Sequence, residues 1–209
     1  MTHRRTITHL EIEVKLPVAD LLETIRRLRR LGATCAGRVL ERNTLFDTPQ
    51  SDFRRCGRLL RLRVLSPARR GPIGAGKSGA VITSKAPAPG TSTARKQSAN
   101  VKFKEKSERE LPVHAPHHWS SVLKSLGLLP GFHYEKFRTS FRLPGLHLDL
   151  DETPVGTFLE LEGTPRQIDE VAGALGFSRR DYIRATYWEL YVASCRQRGR
   201  PPRNMLFDA

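Results

Sequence analysis

The sequence predicts an α+β domain built on a closed antiparallel barrel of eight strands, with charged side chains in the lumen and helices packed against an aliphatic exterior. Three observations carry that expectation. First, in Glu11-Ile12-Glu13-Val14-Lys15 three charged side chains alternate with two aliphatic ones, so a strand here puts Glu11, Glu13 and Lys15 on one face. Second, the alternation returns in Leu60-Arg61-Leu62-Arg63, Lys106-Ser107-Glu108-Arg109-Glu110, Lys136-Phe137-Arg138, Leu148-Asp149-Leu150-Asp151 and Glu160-Leu161-Glu162. A solvated strand face explains one such segment, and edge strands carry scattered charges, but neither needs like charges at i and i+2 so often. Such pairs repel, and a lumen that sets acidic pairs opposite basic ones offsets the repulsion. Third, segments of helical apolar spacing supply faces that can cover the outside of the barrel.

In chain order, a strand over residues 8–16 gives way at Pro17 to a helix whose Leu21, Ile25, Leu28 and Leu31 keep helical spacing and which Gly32 stops. Strands follow over 37–47, 58–65 and 80–85, the last entered from a Gly/Pro-rich loop at 66–79. The polar stretch 86–100 reads as a mobile loop before a strand over 101–111. Trp119, Val122, Leu123 and Leu126 mark a short helix, and strands over 132–142, 145–151 and 155–163 complete the set. Thr164 caps a helix that has Pro165 at its first position and runs to about residue 175, and a final helix spans 182–193.

A chain of 209 residues with 38% hydrophobic content suits one globular domain. Residues 1–7 read as an N-terminal extension, 8–193 as the domain and 194–209 as a basic tail. Residues 1–10 hold no apolar run of the kind at the heart of a signal peptide, and no stretch approaches the roughly 20 apolar residues of a membrane span. The expectation is a cytoplasmic protein with no membrane partner, as a monomer or a homodimer. Cys35, Cys56 and Cys195 are odd in number and far apart, which indicates neither a disulfide framework nor a zinc site. His3, His9, His114, His117, His118, His133 and His147 show no zinc-ligand spacing either.

The net charge of +15 exceeds what the lumen can supply, because its basic residues are nearly matched by acidic ones. The excess lies in Arg26, Arg27, Arg29 and Arg30 on one helix, in Arg69 and Arg70 in a loop, and in Arg196, Arg198, Arg200 and Arg203 in the tail. Such runs are usually solvated faces; salt-sensitive nucleic-acid contact is the functional reading, and no aromatic platform accompanies these arginines to strengthen it.

Gly71-Pro72-Ile73-Gly74-Ala75-Gly76-Lys77-Ser78 fits the P-loop pattern in full. A P-loop, however, needs a helix starting at its Lys-Ser to aim backbone N–H groups at phosphate. Here Gly79 and the β-branched Val81-Ile82-Thr83 follow, with Pro87 and Pro89 close behind, so the match is read as chance in a Gly-rich loop.

A lumen of paired carboxylates and paired cations suits a metal triphosphate: carboxylates take a hard divalent cation, and Lys and Arg take phosphate oxygens. The Glu-x-Glu-x-Lys opening, Phe46-Asp47-Thr48, Leu60-Arg61-Leu62-Arg63 and Phe158-Leu159-Glu160-Leu161-Glu162 together resemble the CYTH, or triphosphate tunnel metalloenzyme, superfamily over residues 8 to 193. That superfamily includes class IV adenylyl cyclases, thiamine triphosphatases, inorganic triphosphatases and fungal RNA triphosphatases.

The resemblance implies that Glu11, Glu13, Asp149, Glu160 and Glu162 hold Mg²⁺ or Mn²⁺. It implies that Lys15, Arg61, Arg63, Lys85 and Arg138 hold phosphates, with Lys106 and Lys136 as weaker members and Glu108 and Glu110 as a further acidic pair. Arg184, before Tyr187, only approximately fills a C-terminal basic position, and Lys106 stands where the family often has Arg. Glu11, Glu13, Lys15, Lys85 and Arg138 form the implied catalytic set. The implied activity is metal-dependent hydrolysis of inorganic tripolyphosphate, thiamine triphosphate or a nucleoside triphosphate, with water activated by a carboxylate attacking the terminal phosphate. The same constellation serves a class IV adenylyl cyclase, in which the ATP 3′-hydroxyl attacks the α-phosphate and pyrophosphate leaves. A binder of phosphorylated ligands without turnover is the reading outside enzymes.

Overall fold

Alternation in the sequence becomes strands with one charged and one aliphatic face. The computed structural model describes residues 9–68, 74–87 and 104–208, without the side chains of 9–11 and 104–106. Among the described residues the strands are β1 (His9–Val18), β2 (Thr34–Asp47), β3 (Leu59–Pro67), β4 (Gly79–Pro87), β5 (Lys104–Val113), β6 (Leu129–Leu143), β7 (Leu146–Thr153) and β8 (Gly156–Glu162). All pair antiparallel in the order β1-β5-β4-β3-β2-β6-β7-β8, and β1 also pairs with β8, which closes the ring of hydrogen bonding. Among the described residues the seam between β1 and β5 runs from His9 against Glu108 to Glu13 against Lys104. Beyond it Lys15 instead exchanges backbone hydrogen bonds of 3.2 and 2.8 Å with Ile183.

The aliphatic residues between the charges face outward under helices. Val14, Leu16, Leu148, Leu150, Leu159 and Leu161 are buried against Ile25 and Leu28 of α1 (Leu21–Arg30) and Ile168, Ala172 and Leu175 at α4 (Pro165–Ala174). Leu123 of α3 (Pro116–Ser125) covers Phe46, Leu62, Ala80 and Val113 in a second cluster. Thr164 caps α4 as expected, in a capping box with Gln167, and Asp20 caps α1 by accepting from the Glu23 amide at 2.9 Å, each worth about 1 kcal/mol. Three of the α1 arginines, Arg26, Arg27 and Arg30, lean on Glu23, as on a solvated face. No described helix is long and apolar enough to cross a membrane.

Four features depart from the sequence expectation. The short helix α2 (Asp52–Arg55) has too few residues for a periodic signal; Asp47 builds its approach by accepting from the amides of Thr48, Phe53 and Arg54 at 2.8, 2.9 and 3.1 Å. The last helix, α5 (Tyr187–Gln197), starts later than residue 182, because Ile183 is drawn into its bridge with Lys15 and Thr186 then caps. It also continues past the boundary at 193, and the segment after it folds back: Met205 is fully buried and bridges β6 through His133 and Glu135 at 3.0 and 2.9 Å. Finally, β6 begins at Leu129 and β2 at Thr34, each longer than expected because the two pair with each other nearly end to end.

The P-loop pattern has no helix behind it. Residues 71–73 lie outside the described chain, but Ala75 bridges Arg38 of β2 and Lys77-Ser78 lead straight into strand β4. Its Gly76 serves close packing: a Cβ there would meet Val39 Cγ1 at 2.5 Å, and one on the facing Gly37 of β2 would meet the Gly76 Cα at 2.9 Å. The N-terminal extension and residues 88–100 of the expected mobile loop also lie outside the described residues, as do Arg69 and Arg70.

Candidate functional site

Because register partners share a face, the ladder sends one charged residue per pair of residues into a common lumen. That lumen is a cavity of about 770 Å³, open to solvent, and its walls carry Glu13, Lys15, Arg61, Arg63, Lys85 and Glu108 together with Glu110, Lys136, Arg138, Asp149, Glu160 and Glu162. The sequence named all twelve as site residues. Glu11 and Lys106 stand opposite each other in the β1–β5 register, but their side chains lie outside the described residues. Arg184 is exposed and does not line the cavity; Tyr187, three residues on, does.

One wall is acidic. Glu13 faces Glu162 across β1 and β8, Lys15 faces Glu160, and Asp149 of β7 lies next to Glu160 on the other side. Lys15 reaches Glu160 at 2.9 Å and Glu13 at 3.6 Å. Burial pulls the Lys15 ammonium toward neutrality, yet Glu160, Glu13 and Asp151 outweigh it and hold its pKa above the usual lysine range. Asp149 accepts from Ser140 Oγ at 2.6 Å and sits 3.0 Å from His147 Nε2 and 2.5 Å from an Arg138 nitrogen. Burial pushes the Asp149 carboxyl up, and Arg138 and His147 more than reverse this.

Among the described residues no three His, Cys, Asp or Glu side chains converge tightly enough to hold a metal. The donor chemistry nonetheless fits a hard divalent cation: carboxylate oxygens predominate, with Glu13 opposite Glu162 in the register and one imidazole, His147, beside Asp149.

At the centre of the lumen Lys136 and Arg138, named from the sequence, meet Asp151, Glu41 and Tyr187, which sequence reasoning did not place in the site. Arg138 grips Asp151 through Nε and a terminal nitrogen, each at 2.7 Å, and also contacts Asp149 and Glu160. Asp151, fully buried, accepts further bonds of 2.7 Å from Lys136 Nζ and from the Tyr187 hydroxyl. The rings of Tyr187 lie 4.9 Å from Lys136 Nζ and 5.2 Å from Lys15 Nζ, so one phenol supports two lysines. Glu41 is 1% exposed among Arg63, Lys136 and Arg138 at 3.3, 3.5 and 3.7 Å. Burial would raise its pKa, but these cations and Arg61 hold it well below the carboxylate range. The available signals were the alternation Glu41-Arg42-Asn43 and the second aspartate of Leu148-Asp149-Leu150-Asp151.

On the opposite wall the cations are held more loosely. Arg61 donates to Tyr134 Oη at 3.3 Å and Thr83 Oγ1 at 3.1 Å and keeps Glu108 and Glu110 at 3.9 Å. Lys85 pairs with Glu108 at 3.0 Å, and Arg63 donates to Asn43 Oδ1 at 3.2 Å. Burial raises the Tyr134 phenol, but Arg61, Lys136 and Arg63 bring its pKa below the usual tyrosine value. Three guanidinium groups and three ammonium groups thus surround a solvent-reachable channel, an arrangement suited to several phosphate groups in a row.

A family model described as CYTH domain matches residues 9–185. No curated protein matches in sequence. Among solved structures, a candidate adenylate cyclase from Vibrio parahaemolyticus superposes with a TM-score of 0.71 at 17% identity, covering 88% of this chain and 98% of that one. A Pyrococcus horikoshii protein gives 0.69 at 20% identity, covering 88% and 99%. A candidate adenylyl cyclase from Hippeastrum, described as having a dominant triphosphatase activity, gives 0.53 at 16% identity, covering 94% and 98%. These likenesses concern the fold.

Proposed function

The chain belongs to the CYTH domain family, and from that premise we propose that it hydrolyses a triphosphate bound in the lumen with the help of a divalent cation. Members of the family are triphosphatases or adenylyl cyclases, generally dependent on a divalent metal. The observation that carries the proposal is the division of one open cavity into a carboxylate wall, Glu13 with Glu162, and a cationic lining of Arg61, Arg63, Lys85, Lys136, Arg138 and Lys15. Glu13 and Glu162, with Glu160 and Asp149 on the same wall, would hold Mg²⁺ or Mn²⁺, which supplies charge neutralisation and polarisation of the phosphorus, and the family resemblance adds Glu11 of the same strand.

The chain's own groups do the rest. Arg61, Arg63 and Arg138 present forked donors to phosphate oxygens, while Lys85, Lys136 and Lys15 add point charges. On the strands of the lumen, Lys136 and Arg138 are braced by Asp151 and Glu41, and Arg63 by Glu41, so these three need little reorganisation as charge moves onto the leaving oxygen. A lumen water attacks the terminal phosphorus, its proton passes to a carboxylate of the acidic wall, and the bond to the bridging oxygen breaks, leaving orthophosphate and a diphosphate. Supplying the protein with Mg²⁺ or Mn²⁺ and tripolyphosphate, thiamine triphosphate or ATP, and separating the products, tests this reading. Orthophosphate supports it; cyclic AMP with pyrophosphate replaces it with cyclisation, and binding without product replaces it with a binding role.

A further inference from the structure

The family match ends at residue 185, yet the chain after α5 docks back on the barrel wall. The β6–β7 ladder starts at Phe137 against Glu152, so residues 133–136 of β6 run past the end of β7. The returning segment takes that edge. The Met205 amide donates to the His133 carbonyl at 3.0 Å and the Glu135 amide donates to the Met205 carbonyl at 2.9 Å, a parallel bridge of Met205 with Tyr134. Contacts on either side fix it: Asn204 Oδ1 accepts from the His133 amide at 3.1 Å, Tyr191 Oη accepts from the Arg203 amide at 3.2 Å, and the Phe207 ring lies 5.1 Å from that of Phe137.

Met205 is fully buried in one cluster with Phe132, Tyr134, Phe158 and Tyr187. Two of these rings carry hydroxyls that meet the charged lumen. Tyr134 Oη accepts from Arg61 at 3.3 Å, and Tyr187 Oη donates to Asp151, which holds Lys136 and Arg138 at 2.7 Å. In a close-packed cluster a missing side chain leaves a space into which its neighbours tilt, and a hydroxyl that tilts no longer fixes the group it touches. Glu13 and Glu162 stand opposite each other on β1 and β8 and are no part of this cluster.

We infer that residues 204–207 are a positioning element of the phosphate-binding lumen, with Met205 as the residue that sets Tyr134 and Tyr187, an inference that rests on the triphosphate reading above. Met205 does not line the cavity; it acts through the two phenols on Arg61, Lys136 and Arg138. Its loss weakens the hold on phosphate and spares the hold on the divalent cation.

The test measures the two holds separately on the full chain. Tripolyphosphate is titrated by calorimetry without divalent metal, so that no turnover occurs, and Mn²⁺ alone is titrated by electron paramagnetic resonance. Met205→Ala should bind tripolyphosphate about tenfold more weakly, the scale of one charge-assisted contact, with Mn²⁺ affinity kept within about twofold. Met205→Leu, which nearly conserves volume, should return tripolyphosphate binding to within about twofold of wild type. Asn204→Ala, at an exposed position that leaves the buried cluster intact, is the second variant, with a loss of about threefold in tripolyphosphate binding alone. Tripolyphosphate binding unchanged in both alanine variants overturns the positioning role. So does a loss of Mn²⁺ affinity as large as that of tripolyphosphate, which marks a general loosening of the barrel. Either result with wild-type binding intact removes this inference alone; a wild type that binds no tripolyphosphate with or without Mg²⁺ removes the triphosphate reading together with it.

Discussion

Glu13 and Glu41 are carboxylates of the same lumen, yet the two sides of the barrel hold them in opposite ways. On the β1–β8 side Glu13 stands directly against Glu162, carboxylate facing carboxylate, with Lys15 at 3.6 Å. On the β2–β6 side Glu41 is sealed among Arg63, Lys136 and Arg138 within 3.7 Å. The second arrangement sets one carboxylate among three cations; the first sets two glutamates opposite each other in the register, and we propose that a divalent cation joins them. Function is expected where the protein opposes like charges, and stability where it cancels unlike ones.

The sharpest way to break this contrast is Glu13→Gln or Glu162→Gln. Either should lower metal-dependent turnover by at least about a hundredfold, as fits loss of a group worth several kcal/mol, with the fold retained. Wild-type rates in both would falsify the metal assignment. Lys85→Ala comes next: it removes a cation from the opposite wall, and kcat/KM for the preferred triphosphate should fall by about a hundredfold with metal dependence retained. A loss of metal affinity of the same size would mean that the walls do not divide their work.

Glu41→Gln should do the reverse of Glu13→Gln. Removing a buried partner of three cations costs about 3 kcal/mol, a fall in Tm on the order of 10 °C for a chain of this size. The pH dependence follows from its depressed pKa. The carboxyl is lower in the folded state than its unfolded value of about 4.3, so its contribution is fully present above that pH and is lost as pH falls toward the folded value. Urea unfolding midpoints of wild type and Glu41→Gln should differ most at pH 7, and the gap should begin to narrow as pH falls below about 4. A gap that stays constant would show that Glu41 does not carry the charge balance.

The acidic wall was legible in the sequence because its residues repeat at i and i+2 within short segments, as in Glu11-Ile12-Glu13 and Glu160-Leu161-Glu162. Strand directions and the outward leucines followed from the same period. What braces the site was less visible. Glu41 and Asp151 sit in alternating segments but acquire meaning only through cations on other strands, Arg63, Lys136 and Arg138. Tyr187 opens a helix, where its spacing reads as core packing, and only the fold carries its hydroxyl to Asp151 at 2.7 Å. Phe53, which lines the cavity, lies on a helix four residues long, below the reach of periodicity. Arg184 follows the strand-like bridge of Ile183 with Lys15, is exposed and does not line the described cavity.

The smallest effect expected is at Lys77, the residue that a sequence pattern marks most strongly as a phosphate ligand. Lys77 is exposed, does not line the cavity, and leads into β4 instead of opening a helix. A P-loop lysine works beside amides aimed by a helix N-terminus, and a strand has no such convergence to offer. The neighbouring glycines are accounted for by the fit of Gly76 over Arg38 and Val39. Lys77→Ala should therefore keep kcat/KM within about twofold, the scale of a surface substitution away from the chemistry. A loss of several hundredfold would place a second phosphate site at the β2–β4 end of the barrel, and the contrast between the two walls of the lumen would no longer describe where this protein handles phosphate.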